Sequence, residues 1–339
     1  MTRSSAPPTP EPVILPADLP PLLMVVVDTE EAFDWQAPFR RDAISVEAMA
    51  QIGLGQAICD AFGVKPVYVI DHPVATQAAG ADPLRPIVAS GRALLGAHLH
   101  PWNTPPFEEE LNARNSYPGN LPAPLEAAKL ANLTDAIEQN FDLRPQIYKA
   151  GRYGLGPNTP AILDRLGYRI DLSPSPPFDF SPDGGPDFSG DDARPFWSTP
   201  DRGVLTLPTT GGYYGLLATR QAHRIYRFSH RPPLRKLRLP GILARSGLLN
   251  RVRLSPEGAT LPEMQHLTRF LLRQGLRLFT LSYHSPSLLP GCTPYVRHRD
   301  DLAAFLARLH NYLAFFSQQL GGRFTTPLEV RQLARPSHG

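Results

Sequence analysis

Short apolar runs alternate along this chain with longer stretches whose apolar residues return every three or four positions, and that alternation limits the fold more than any other feature. The runs at 22–28, 64–70, 94–100, 146–151, 168–173, 204–209 and 276–284 read as strands. Between them, 44–62, 125–141, 160–166, 262–274 and 302–320 carry the helical period. Boundary chemistry agrees: Thr159 precedes Pro160 as an N-cap before a first-turn proline, and Gly63, Gly167, Gly275 and Gly321 stand where C-terminal glycines belong. Strand–helix alternation of this kind predicts an α/β fold of βα units around a largely parallel sheet or barrel.

A chain of 339 residues suits one large barrel or two ordinary domains. No repeat of roughly 20–50 residues is present, so a single domain with one elaborated face is the simpler expectation. Hydrophobic residues make up 42% and charged residues 19%, enough apolar material for a core without staples. Cys59 and Cys292 are the two cysteines, which excludes a disulfide framework or a four-thiolate zinc site and fits a reducing compartment. Residues 1–21 contain seven prolines and predict a flexible, extended tail without a secretory pattern; 334–339 form a second tail. No apolar run reaches the roughly 18 residues that a spanning helix requires.

The chemistry collects where the strands end. Asp28, Asp71 with His72, His98 and His100, Arg152, Asp171 and His284 each close a strand candidate. In a parallel barrel such ends share one rim, where catalytic residues from distant parts of a sequence converge. Asp28, Glu30 and Glu31 crowd three carboxylates into a short loop, and a divalent cation would relieve their repulsion. His98 and His100 stand two apart on a strand and so face one side, where both imidazoles could reach one cation at about 2.1 Å. Arg152 could keep a carboxylate ionised, and His284 could give a proton to a leaving group. Trp35, Trp102, Tyr153 and Tyr213 could stack on sugar faces or pack in the core or rim.

The segments DTEEAFDW, GAHLHPWNTPP, GRYGLGPNTPAILDRLGY and TLSYHSPSLLPG, in that order, resemble the polysaccharide deacetylases of carbohydrate esterase family four with their NodB-type domain, and among them the WalW-type branch. The resemblance covers 22–333, with 202–256 as an insertion or cap, and implies a distorted (β/α) barrel. It implies a hydrolase of carbon–nitrogen bonds that removes an acyl group, N-acetyl first, from a surface polysaccharide or its lipid-linked precursor. By motif, Asp28 becomes the base, Glu30 or Glu31 the carboxylate ligand of zinc or another divalent metal, His98 and His100 its imidazole ligands, Arg152 the tether of the base and His284 the acid. The family's adjacent Asp-Asp pair is here Asp28-Thr29-Glu30, and its His-x-x-x-His is His98-Leu99-His100 with Trp102 in the fourth place. A decayed deacetylase frame that binds glycan without turning it over is the alternative. A serine hydrolase using Ser282 or Ser285 lacks the Gly-x-Ser-x-Gly elbow, and Gly151, Gly154 and Gly156 lack the dinucleotide-binding order and its distal acidic partner.

Residues 202–256 hold eleven Lys and Arg and no Asp or Glu, although the whole chain carries a formal charge of only +3. Within it, LRKLRLPGILARSGLLNRVRL interleaves aliphatic with basic residues, as in a helix lying on an anionic surface. The run is expected to dock a membrane leaflet or a lipid-linked, phosphate-bearing glycan, with peripheral contact to an anionic membrane through 220–253 and a cytoplasmic location at the membrane's inner face; the bland counterpart is a solvated cap whose leucines pack on the barrel. Nucleic acid is disfavoured, because aliphatic interleaving offers no platform for bases.

Overall fold

A computed structural model describes residues 11–336 except Ala17, Gln36, Arg220 and Leu237, and omits the side chains of Arg235, Arg335 and Pro336. The strands are β1 (Glu11–Ile14), β2 (Leu22–Thr29), β3 (Val67–Ile70), β4 (Leu94–Leu99), β5 (Ile147–Ala150), β6 (Ile170–Asp171), β7 (Phe196–Trp197), β8 (Leu205–Thr206), β9 (Gly211–Tyr214), β10 (Asn250–Arg253), β11 (Leu278–His284), β12 (Arg323–Phe324) and β13 (Arg335–Pro336). The helices are α1 (Ile52–Ala61), α2 (His72–Thr76), α3 (Ala78–Ala81), α4 (Arg85–Ala89), α5 (Ala123–Phe141), α6 (Thr159–Arg165), α7 (Ala222–Ser229), α8 (Pro232–Lys236), α9 (Leu239–Arg245), α10 (Leu261–Arg273), α11 (Arg299–Ala314) and α12 (Pro327–Leu333).

The sheet runs β11-β2-β3-β4-β5-β6-β8 in parallel and continues antiparallel through β7, β1 and β13. No ladder closes β8 onto β11. The gap is spanned by isolated bonds, among them Thr280 N–H to Thr210 Oγ1 at 2.8 Å, Thr210 N–H to the Thr280 carbonyl at 3.4 Å and Ser282 N–H to the Leu254 carbonyl at 3.2 Å. The result is a curled, incompletely closed (β/α) barrel of α/β class, as the alternation implied.

Strand parity divides the core. Leu22, Met24 and Val26 of β2, Val67 and Val69 of β3, Ile147 of β5, Ile170 of β6 and Leu278 of β11 belong to a cluster on the inner face. Leu23, Val25, Val27, Tyr68, Ile70, Leu95, Tyr148, Phe279 and Leu281 pack toward the helices. Because side chains alternate along a strand, a residue an even number of places beyond an inner one also points inward. Asp28, Asp71, Lys149 and His284 inherit that direction, whereas Asp171, next to Ile170, points outward.

Two expectations are corrected. The tail placed over 1–21 is structured from residue 11, where β1 pairs with β7 and β13; residues 1–10 lie outside the described residues. Arg335–Pro336, expected in the second tail, forms β13, and residues 337–339 are not described. β1 exposes alternate residues, and Leu15 and Leu19 just past it pack on the inner cluster, which anchors the segment to the barrel. The basic run is also not one helix. It is broken into α7, α8 and α9 and the strand β10, and Pro232, Pro233 and Pro240 stand at the first turns of the later two helices, where a continuous helix would need their missing N–H groups. Among the described residues, no helix is long and apolar enough to cross a membrane.

Candidate active site

A cavity of about 250 Å³ opens at the C-terminal ends of the parallel strands, and Asp28, Glu30, His98, His100 and His284 all line it. Their convergence follows from register: His284 on β11 lies opposite Asp28 on β2, and His98 on β4 lies opposite Lys149 on β5.

Glu30 Oε2 lies 3.3 Å from His98 Nε2 and 3.3 Å from His100 Nε2. Both imidazoles are oriented from behind. His98 Nδ1 is 2.9 Å from the Lys149 carbonyl, and His100 Nδ1 is 2.9 Å from Glu31 Oε2. A carbonyl can only accept, so His98 Nδ1 carries the hydrogen and its Nε2 lone pair faces the cavity; His100 Nδ1 is engaged by the Glu31 carboxyl, which turns its Nε2 toward the same space. The three cavity-facing donors fall within 4.8 Å of one another. The two candidate carboxylates sit differently: Glu30 borders the cavity, while Glu31 lies behind His100, forms a second group of donor atoms with Asp71 and His100, and accepts the Trp102 indole N–H at 2.8 Å. Glu31 N–H in turn donates to Asp71 Oδ2 at 3.0 Å. Burial raises the Glu31 carboxyl to about 8 with help from Glu30, and burial with Glu31 raises Asp71 well above its usual range, so this pair retains a proton near neutrality. Gly151 is required by this packing, because a Cβ there would sit 2.4 Å from His100 Cδ2 and 2.6 Å from the Leu99 carbonyl.

Asp28 is held by Lys149, whose Nζ lies 2.5 and 2.6 Å from the two carboxylate oxygens. Burial opposes ionisation of Asp28, but Lys149, His98 and His284 outweigh it and hold the carboxyl below the usual range. Lys149 is fully buried. On the far side, His284 Nδ1 is 2.7 Å from Glu257 Oε2, and its Nε2 lies 3.7 Å from Asp28 Oδ2. Burial disfavours the imidazolium, yet Glu257, Glu30 and Asp28 together raise its pKa to about 10. A buried carboxylate and a cationic imidazole thus face one cavity.

Arg152 does not tether the base. Its guanidinium donates to Ser116 Oγ at 2.6 Å and to Asp183 Oδ2 at 3.0 Å, and lies 4.2 Å above the Tyr117 ring. Arg152 and Tyr153 both have positive φ, 53° and 60°, which turns the backbone off the strand just past β5, so Arg152 borders the cavity at its rim while Lys149 keeps the inner parity. Lys149 and Glu257 were missed. Ile147 and Lys149 share a face of one apolar strand, a legible signal, whereas nothing local marks Glu257 as the partner of a histidine 27 residues on.

The aromatic candidates divide. Trp35 borders the cavity with its ring edge-to-face against His284 at 4.9 Å and Tyr295 at 5.6 Å. Tyr153 also borders it, stacked on Phe180 at 5.3 Å. Trp102 also borders the cavity but is only 1% exposed and stacks on His100 at 4.2 Å, so it backs the imidazole. Tyr213 is outside the cavity: on β9 it lies opposite Arg251 of β10 and packs near Tyr226 at 5.5 Å. Asp171, on the outward parity, accepts from Ser173 N–H at 2.9 Å and does not border the cavity. Ser285 Oγ accepts from Glu30 N–H at 3.2 Å, while the His284 nitrogens face Glu257 and Asp28, so these residues do not form a serine–histidine pair.

No protein-family model matches the sequence, and no curated protein matches it. Solved structures do match in fold. A structure from Mycobacterium smegmatis bearing a polysaccharide deacetylase assignment superposes with TM-score 0.53 at 14% identity, covering 96% of this chain and 93% of that one. PuuE allantoinase matches with TM-score 0.53 at 16% identity over 92% of this chain and 89% of its own. A structure from Pseudomonas aeruginosa with a polysaccharide deacetylase assignment matches with TM-score 0.50 at 13% identity over 92% and 90%. The chain therefore has the fold of these proteins.

Proposed function

We propose that this chain is a metal-dependent hydrolase that removes an acyl group, N-acetyl in the first instance, from a sugar of a polysaccharide or of its lipid-linked precursor. The observation that carries the reading is the meeting, in one cavity, of a Lys149-held carboxylate, a Glu257-held imidazolium and three converging metal-type donors. The fold shared with deacetylase-assigned structures supports the same class.

Glu30, His98 and His100 fit a divalent cation: each imidazole has its Nδ1 engaged from behind and its Nε2 turned to the Glu30 carboxylate, the arrangement that second-shell partners impose on ligating histidines. When bound there, zinc supplies Lewis acidity, which lowers the pKa of water to about 7 and polarises a carbonyl. Asp28 takes the proton of the attacking water, since Lys149 keeps it ionised at neutral pH. His284 then gives the Nε2 proton to the departing amine as the carbon–nitrogen bond breaks, while Glu257 holds its Nδ1. Trp35 and Tyr153 present ring surface to the sugar. Arg253 borders the same cavity; among the described residues it forms no ion pair, and its buried Nε has no partner, which favours a glycan carrying phosphate or carboxylate.

Native mass spectrometry and turnover of an N-acetylated hexosamine oligomer test the reading together. Wild type should carry one zinc, and His98→Ala with His100→Ala should carry none. Asp28→Asn should keep the metal and lose turnover by on the order of a hundredfold or more. Near-normal turnover in Asp28→Asn, or a full zinc complement without either histidine, would refute the assignment.

A further inference from the structure

Between the paired strands β9 and β10 the chain makes an excursion, residues 215–249, that the chemistry above does not use. β9 and β10 pair from Gly211 opposite Arg253 to Tyr214 opposite Asn250, so the excursion hangs from one end of a two-stranded ribbon. Leu216 and Leu217 N–H groups bond back to the Gly247 and Leu248 carbonyls at 3.3 and 2.8 Å and close its neck.

Its outer surface combines two properties that soluble surfaces usually keep apart. Arg224, Arg227, Arg231, Lys236, Arg238 and Arg245 are exposed, and among the described residues none of them forms an ion pair. No carboxylate occurs in the segment. On α7 and the residues just after it, Arg224, Arg227, Phe228 and Arg231 are all exposed at spacings that place them on one face. On α9, Ile242 and Arg245 repeat the pattern one turn apart. Leu216 is 83% exposed, and Phe228 and Ile242 are each 54% exposed. Large apolar side chains standing among unpaired cations are the composition of an interfacial surface: the cations meet anionic headgroups and the apolar groups enter the layer beneath.

We propose that this cap docks on an anionic lipid surface, with its arginines on the headgroups and Leu216, Phe228 and Ile242 at the acyl boundary. The ribbon couples the docked cap to the cavity. Arg251 lies 4.4 Å from the Tyr226 ring of α7 and 4.5 Å from Phe178; Arg253, two residues on, lies 4.2 Å from Phe178 and 4.7 Å from Tyr153 at the cavity wall. These stacked groups make a stiff link, and four residues of strand span on the order of 10 Å, so the cavity stays close to the lipid and faces substrates presented there. The proposal does not depend on the hydrolytic chemistry and is read without turnover.

Sedimentation of the full chain with vesicles of phosphatidylcholine alone, or mixed with phosphatidylglycerol, tests it at low and high salt. Binding is expected to the mixed vesicles only and to fall with salt. Replacing Arg224, Arg227 and Arg231 together by Gln should weaken binding by on the order of a hundredfold. Leu216→Ser with Phe228→Ser and Ile242→Ser should also weaken it, whereas Ile14→Ser with Leu54→Ser, exposed apolar positions outside the cap, should not. Equal binding to both vesicle types, no binding to either, indifference to the apolar triple change, or tighter binding to duplex DNA than to mixed vesicles at the same salt would each overturn the proposal.

Discussion

Lys149→Met is the substitution on which the site's electrostatics can be judged most directly. Lys149 Nζ contacts both Asp28 oxygens at 2.5 and 2.6 Å inside the barrel, and both residues are buried. At that separation, with an effective dielectric of about 20, the gross attraction is about 6 kcal/mol, much of it offset by removing the two charges from water. Breaking such a pair strands the other charge, and the expected loss is about 3–5 kcal/mol. Asp28→Asn should cost a comparable amount by leaving Lys149 unpaired. The double variant strands neither, so it should lose far less than the two single losses combined, with a coupling energy of several kcal/mol. Urea unfolding at pH 7 with chelator present reads this without a contribution from metal binding. Losses that add to within about 0.5 kcal/mol would show that the two groups are energetically independent and would refute the assignment of Lys149 as the partner of the base.

Two further outcomes follow from the same geometry. Glu257→Gln removes the largest influence favouring the His284 imidazolium, so the alkaline limb of the kcat/KM profile, set by a group at about 10, should move to lower pH; an unmoved limb would separate His284 from the acid role. Glu126 is a buried carboxyl raised to about 7 by burial, against the pull of the Thr159 hydroxyl that donates to it. Its folded pKa exceeds the unfolded value of 4.5, so the folded state holds the extra proton, and stability should fall as pH rises from about 4.5 to about 7, by about 3 kcal/mol. Urea unfolding of Glu126→Gln across that window should show a shallower decline than wild type, and identical slopes would contradict the raised value.

Much of this was legible along the chain because strand positions and strand parity are local properties. Seven apolar runs became the parallel strands β2, β3, β4, β5, β6, β8 and β11, and the rim residues Asp28, His98, His100 and His284 meet as a parallel barrel requires. The hydrophobic period places a side chain on one face of the sheet, and the common strand direction places its end on one rim. Partner choice was not legible, because it depends on contacts between residues far apart in sequence. Asp28 and Lys149 are 121 residues apart, and only the β4–β5 register and the left-handed turn at Arg152 decide that the lysine, not the arginine, reaches the carboxylate. Glu30 and Glu31 are neighbours of the same chemistry, and His100 distinguishes them by bonding one through Nδ1 and facing the other through Nε2. Tyr213 carries the same ring chemistry as Trp35 and Tyr153, yet it lies on a ribbon outside the cavity, and Trp102 reaches the cavity wall stacked on His100. The chain's own pattern determined which faces and ends its residues occupy; three-dimensional packing alone decided which of them touch, since distances across a barrel are set by every strand between them.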